Sequence, residues 1–391
     1  MNPQGPSAQH EVASPTQAQA AQSQQLELFH NNRLRKIGVI QIPTFYHDYE
    51  AQMRGEDDYR STTRDVQRLL AELDEAGAEG VIIDLRGNGG GYLDEARTLT
   101  GLFVGKGPVV QIKSASGRIK PQNNYPNPNQ YTKPVAVLID RLSASASEIF
   151  AGALQDYQRG LVIGSQSFGK GTVQNVTELN HGRLKLTEAK YYRVSGESTQ
   201  HRGIIPDIAL PSVYDIDDIG EAALDNALGW DKVEALPHRK YNDIDPMLAE
   251  LQQLHKTRVQ EDPDYRYLLD QIQLREDNET IESLSLNRSE RETFVNQSNA
   301  ARDAIEESLR IAKGLPAKPE AETSGATIDE LIGDTGADAN EANGDESEQD
   351  SEDPRTDFLL TEAGYILLDA ISIGTAVAQN PESQMLSNTG S

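Results

Sequence analysis

The sequence predicts an α/β fold, a largely parallel sheet with covering helices followed by a helical C-terminal region. Three observations carry this expectation. Runs that are apolar on both faces, at residues 81–85, 135–139 and 161–163, have the pattern of buried parallel strands. Segments with apolar residues at helical spacing fall between them, and strands alternating with helices imply parallel pairing. After Asp207 the alternation stops and helix-start signals recur.

The elements follow in order. Residues 1–33 are expected to be a low-complexity, disordered N-terminus, because the first 26 hold seven Gln among Ala, Ser and Pro. Residues 34–235 form the expected core. A strand over 36–42 is closed by Pro43. Ser61 or Thr62 then caps a helix with Val66, Leu69, Leu70 and Leu73 on one face, and Gly77 stops it. After the strand at 81–85, a glycine loop, 87–91, leads into a helix carrying Leu93, Ala96, Leu99 and Phe103. A strand at 109–112, a polar loop and the strand at 135–139 come next. Residues 141–147 open a helix through Gln158, ahead of the strand at 161–163.

Residues 236–316 read as a helical region. Asp245-Pro246 and Asp262-Pro263 each place a capping Asp before a Pro at the first helical position. Ser289-Glu-Arg-Glu292 reads as a capping box ahead of a long helix ending near Gly314. Residues 317–356 are expected to be an acidic disordered linker: between Glu320 and Pro354 stand 13 Asp/Glu and no Lys or Arg. Asp338 to Gly344 approaches a calcium loop, but the glycine falls one place late and no closing Glu is in register. Residues 357–375 form an amphipathic helix able to dock on the body, and 376–391 a disordered tail.

Composition narrows the chemistry. Sixty-two acids against 36 bases argue against a general nucleic-acid binder. The absence of Cys excludes disulfides, thiolate metal sites and a Cys nucleophile. No signal peptide is visible, and no run approaches the ~18 apolar residues of a membrane span. The seven His, at 10, 30, 47, 181, 201, 238 and 255, include no pair at i, i+3 or i+4, so no metal pattern emerges.

Three small-residue clusters are expected at the C-terminal ends of parallel strands, where open α/β sheets place ligands: 87–91, 143–147 and 164–171. The third approaches a P-loop, yet Gly171 stands where Ser or Thr should ligate magnesium, and a strand-like run follows where a helix should. No G-x-S-x-G elbow exists, and nothing nominates a histidine base. A serine with a lysine base remains. Ser145 is expected at a strand-to-helix junction, with Ala146 in the first helical turn, where N–H groups lack intrahelical partners. With an N–H from the glycine loop, that position can bind an oxyanion. Lys170, flanked by Gly169 and Gly171, can act as base if burial near Phe168 lowers its pKa. On these residues alone, an N-capping serine and a turn lysine remain the plainer alternative.

Three motifs occur in order: Asp84-Leu-Arg-Gly-Asn-Gly-Gly-Gly91, Ser143-Ala-Ser-Ala-Ser-Glu-Ile149 and Phe168-Gly-Lys-Gly-Thr-Val-Gln174. Together they closely resemble the tail-specific proteases, the C-terminal processing peptidases of bacteria and plastids. The similarity is strongest over 37–235 and continues through Tyr191 to Gln200, Gly203 to Asp207 and Asp225 to Trp230. More weakly it takes in the helical C-terminal region of the large periplasmic members.

The resemblance implies a crotonase/Clp-protease-like core and a serine endopeptidase that cleaves unfolded or partly folded proteins via their C-terminal tails. It implies Ser145 as nucleophile, Lys170 as general base and Gln174 as the residue holding the lysine. Ala146, Gly91 and Gly90 would be the oxyanion donors. Asp156, which the family pattern also singles out, is read as structural support: eleven residues of helix return it to the face of Ser145 but ~16 Å away. No cofactor is needed. The expected partners are protein or peptide substrates with accessible C-terminal tails and an adaptor protein, with no nucleic acid and no membrane span, in the periplasm. The family carries a PDZ domain before this core. Here a Gln/Ala-rich stretch takes its place, so the chain is expected to be a fragment or a truncated reading frame. The alternative function is an inactive polypeptide-binding protein of the same fold.

Overall fold

The computed structural model describes residues 20–125, 127–281, 283–316 and 357–379. The expectations for residues 1–19, for the acidic stretch 317–356 and for 380–391 lie outside the described residues. The chain divides into two compact units, one of residues up to Leu254 together with Leu360 onward, the other His255–Leu359.

In the first unit, β1 (Gln22–His30) turns through Asn31 and Asn32 into β2 (Arg33–Gln41). Helices α1 (Tyr49–Met53) and α2 (Thr62–Glu75) follow, and Ser61 caps α2 by accepting the Arg64 N–H. Next are β3 (Val81–Asp84), α3 (Leu93–Thr100), β4 (Pro108–Ser114), β5 (Ile119–Asn123) and β6 (Val135–Ile139). Then come α4 (Ala146–Asp156), β7 (Leu161–Gly164), β8 (Thr172–Glu178), β9 (Arg183–Tyr192) and β10 (Ile208–Ala209). The larger sheet has the order β1-β2-β3-β6-β7-β10, parallel throughout except that β1 pairs antiparallel with β2. Every residue of β3, β6 and β7 is buried, as their unbroken apolar runs require.

Both faces of the sheet are covered. A Cβ added to Gly38 would meet Leu73 of α2 at 2.7 Å, so the strand and that helix pack backbone to side chain. The opposite face of β1 and β2 receives α8 (Phe358–Gln379), whose Gly364 lies against Leu28 and Leu26. Beneath that helix, His30 meets Asp369 at 2.7 Å and Arg35 pairs with Glu79 at 2.6 Å.

Four expectations need correction. Residues 22–30 are a strand, not a disordered segment: all nine pair with β2, and burial of Leu28 and His30 overrides their poor strand propensity. The strand expected at 109–112 belongs to a second, antiparallel sheet of order β5-β4-β9-β8, because a tight turn at Gly117 (φ +82°) folds it into a hairpin with β5. The helix expected through Gln158 ends at Asp156, since Gln158 takes a positive φ of 47°. The C-terminal helix runs to Gln379, past the expected boundary at 375.

The second unit contains most of the helical region: the end of α5 (Asp245–Val259), α6 (Pro263–Glu279) and α7 (Arg288–Ala312). Asp262 caps α6 with Pro263 in its first turn. The cap of α7 is Asn287, which accepts the Ser289 N–H at 2.9 Å, rather than the Ser289 box. Lys313 pairs with Asp264 at 2.7 Å and so links the end of α7 to the start of α6. Among the described residues, no helix is long and apolar enough to cross a membrane.

Candidate active site

Ser145 stands between β6 and α4 with φ 57° and ψ −111°. A non-glycine residue there is strained by ~1–3 kcal/mol, which persists only where surrounding contacts enforce it. Those contacts come from both sides. Asp140 accepts the N–H groups of Leu142 and Ser143 at 3.0 Å each, tightening the turn after β6. The Asn88 carbonyl accepts the Ala144 N–H at 3.0 Å and the Ser147 hydroxyl at 2.9 Å.

The glycine loop presses on this turn. A Cβ at Gly90 (φ +109°) would lie 2.8 Å from the Ser145 Cβ and 3.1 Å from the Ala146 nitrogen. At Gly91 (φ +139°) a Cβ would fall 2.2 Å from the Phe45 carbonyl oxygen. Neither position tolerates a side chain. The loop is held in place by the Gly90 carbonyl, which accepts from Phe45 N–H at 2.8 Å and the Thr44 hydroxyl at 2.9 Å. The Gly90 N–H is committed to Asn88 Oδ1 at 2.9 Å, so Gly90 is not a free oxyanion donor as expected. Ala146 opens α4, where its N–H has no intrahelical partner, and Gly91 N–H makes no hydrogen bond among the described residues.

Lys170 lies on the third loop, half-buried, and its ammonium makes no ion pair among the described residues. Burial foremost, and the positive charge of Lys185 next, hold its pKa below the ordinary lysine value. The loop carrying it is tied to the serine turn by Phe168 N–H on the Ser143 carbonyl, at 3.0 Å.

Glu148 joins the two loops, a role that the sequence reading missed. Its Oε2 accepts the Ser145 N–H at 2.7 Å and the Lys170 N–H at 3.0 Å. Its Oε1 accepts the Ser167 hydroxyl at 2.6 Å and the Gly169 N–H at 2.7 Å. Both backbone nitrogens therefore touch one carboxylate oxygen. A signal was present, because Ser145-x-x-Glu148 is a capping-box spacing. Burial pushes the Glu148 carboxyl up to about 7, against the pull of those four hydrogen bonds. Tyr191, also buried, spans the same two loops: its hydroxyl donates to the Lys170 carbonyl, with the Ser145 carbonyl 3.2 Å from the same oxygen.

A carboxylate can accept all four donors, whereas an amide turns one acceptor into a donor facing donors. Glu148→Gln is therefore expected to lower kcat about a hundredfold with little change in KM, the scale of a displacement of about 1 Å. Steady-state cleavage of an unfolded protein checks this, with circular dichroism to confirm the fold; wild-type kcat would refute it.

The remaining expected residues lie apart from this junction. Gln174 sits on β8 opposite Thr187, exposed, at an irregularity in the strand pairing, and no hydrogen bond joins it to Lys170. Asp156, at the far end of α4, is half-buried, pairs with Arg193 and accepts the Ser195 N–H at 3.1 Å. Asp156→Ala would leave the half-buried Arg193 guanidinium with Gln155 Oε1, at 2.8 Å, as its remaining side-chain acceptor, and a loss of about 1–3 kcal/mol in chemical denaturation is expected.

The chain can now be set beside known proteins. Residues 36–210 match the model of peptidase family S41, and residues 214–372 match that of the C-terminal domain of tail specific protease (DUF3340). A tail-specific protease of Haemophilus influenzae is 40% identical over 280 residues, 68% of this chain and 38% of that protein. A carboxy-terminal-processing protease of Bartonella bacilliformis is 42% identical over 168 residues, 40% of this chain and 37% of that protein. Among solved structures, a photosystem II D1 C-terminal processing protease aligns over 50% of each chain with 29% identity and a TM-score of 0.42. The chain spans less than two-fifths of the length of these two curated relatives. With residues 36–210 matching peptidase family S41 and residues 214–372 the C-terminal domain of tail specific protease, the chain resembles the tail-specific proteases of that family.

Proposed function

We propose that this chain is the catalytic core of a serine endopeptidase that cleaves unfolded or partly folded proteins via their C-terminal tails. The observation that carries this reading is the shared carboxylate, Glu148, which holds a strained Ser145 and a half-buried Lys170, without an ion pair among the described residues, together beside the glycine loop.

In this mechanism neutral Lys170 takes the Ser145 Oγ proton as the oxygen attacks the scissile carbonyl. The N–H groups of Ala146 and Gly91 stabilise the oxyanion. The tetrahedral intermediate collapses, the C–N bond breaks, and the lysine proton passes to the leaving amine. Water, deprotonated in turn by Lys170, then hydrolyses the acyl-enzyme. Lys170 is suited to this because burial disfavours its charged form. Likeness to the tail-specific proteases supports substrates with accessible C-terminal tails, an adaptor protein as a further partner and a periplasmic setting.

The test is a serine-reactive fluorophosphonate, followed by peptide mass mapping. Covalent labelling at Ser145 is expected. A folded protein that cuts nothing and takes no label would instead be an inactive polypeptide-binding relative.

A further inference from the structure

The glycine loop leads directly into an exposed aromatic cluster that the proposed peptidase chemistry does not use. Tyr92 follows Gly91 at the N-cap of α3, with 47% of its surface open to solvent. Tyr49, the first residue of α1, is 38% exposed, and its ring meets that of Tyr92 edge-on at 5.0 Å. Met53, one helical turn beyond Tyr49, is 83% exposed.

The cluster rests on a rigid base. The His47 ring lies 4.1 Å from that of Tyr49 and 5.2 Å from that of Tyr59. Buried Glu95 grips His47 Nδ1 at 2.5 Å, and Gln52 meets Nε2 at 3.0 Å. Glu95 also accepts the Ser61 hydroxyl at 2.7 Å and the Thr63 N–H at 2.8 Å. Of the acids nearby, Asp94 pairs with Arg97 at 2.6 Å, Glu50 lies 3.8 Å from Arg54, and Asp48 accepts the Ala51 N–H at 2.9 Å. What the cluster offers is aromatic and thioether surface, which suits an apolar side chain.

Its position relative to the serine is set by the backbone. Gly90 touches Ser145, and Tyr92 is only two Cα steps further, each ~3.8 Å. The Tyr92 N–H donates to the Phe45 carbonyl at 2.9 Å, which keeps the segment leading to Tyr49 beside the loop. A peptide with its carbonyl at Ser145 would bring a side chain within one or two residues of the scissile bond onto this surface, since an extended chain advances ~3.3 Å per residue.

We propose that Tyr92 and Tyr49, with Met53 at the rim, receive an apolar or aromatic side chain flanking the scissile bond and so select which peptide bond is cut. This rests on the reading of Ser145 as nucleophile.

Paired peptides that differ only by Phe or Ala beside the scissile bond test it. The ratio of their kcat/KM values is expected to fall about tenfold in Tyr92→Ala and in Tyr49→Ala, a range typical of apolar pockets, and to survive in Tyr92→Phe, which keeps the ring. An unchanged ratio in both Ala variants, or an equal loss in Tyr92→Phe, overturns the proposal. The same peptides, labelled and titrated into Ser145→Ala protein by fluorescence anisotropy, separate the pocket from the chemistry. If the wild-type chain cuts nothing, the peptidase reading fails. A Phe-over-Ala affinity difference that Tyr92→Ala removes still upholds the pocket, and no such difference overturns it.

Discussion

Lys170→Arg is expected to be as inactive as Lys170→Ala, with cleavage of an unfolded protein falling by at least about a thousandfold in both. Arg keeps the positive charge and nearly the reach, but its pKa above 12 leaves it protonated and unable to accept a proton. A lysine that merely fills a turn would tolerate this exchange. Burial lowers the Lys170 pKa, so the wild-type rate should climb as pH rises through that lowered value and then level off. Glu148 adds a limb near its own value of about 7, because only the carboxylate accepts all four donors. The sign for stability is opposite. A carboxyl raised by folding favours the native state when protonated, and that contribution fades as pH rises through about 7. In Glu148→Gln the limb near 7 should vanish while the lysine limb persists. Gln174→Ala should change the rate less than about tenfold, since Gln174 is exposed on β8 and makes no hydrogen bond to Lys170. Substantial turnover by Lys170→Arg is incompatible with a lysine base.

Ser145→Ala and Ser145→Gly are both expected to abolish proteolysis and fluorophosphonate labelling, yet to differ in stability. The backbone at 145 has φ 57° and ψ −111°, which strains alanine as much as serine but is freely available to glycine. Ser145→Gly should therefore be more stable than Ser145→Ala by about 1 kcal/mol in chemical denaturation. Equal stabilities would mean that the strain is not stored at this residue. Retained cleavage by either variant would remove Ser145 as the nucleophile.

The sequence by itself determined much of the local structure between residues 34 and 210. β3, β6 and β7 are legible because a strand buried on both faces must be apolar throughout. α2 is legible because its apolar stripe and Ser61 cap lie within a few residues of one another. Ser145, Lys170 and the glycine loop stand out because their short, ordered motifs of small residues fall at strand ends. The tertiary structure decided what depends on loops distant in sequence. Val109 and Val110 read as well in either sheet, and pairing of their strand with β5 and β9 assigns it to the antiparallel one. The Gln-rich segment before Leu34 becomes a strand because β2 and α8 offer it pairing and cover. Gly90 loses its donor to Asn88, and Glu148 gathers Ser145, Ser167, Gly169 and Lys170 around one carboxylate. Short-range patterns are written residue by residue. Which N–H stays free, and which charge is buried beside it, is set only when three loops from separate strand ends meet.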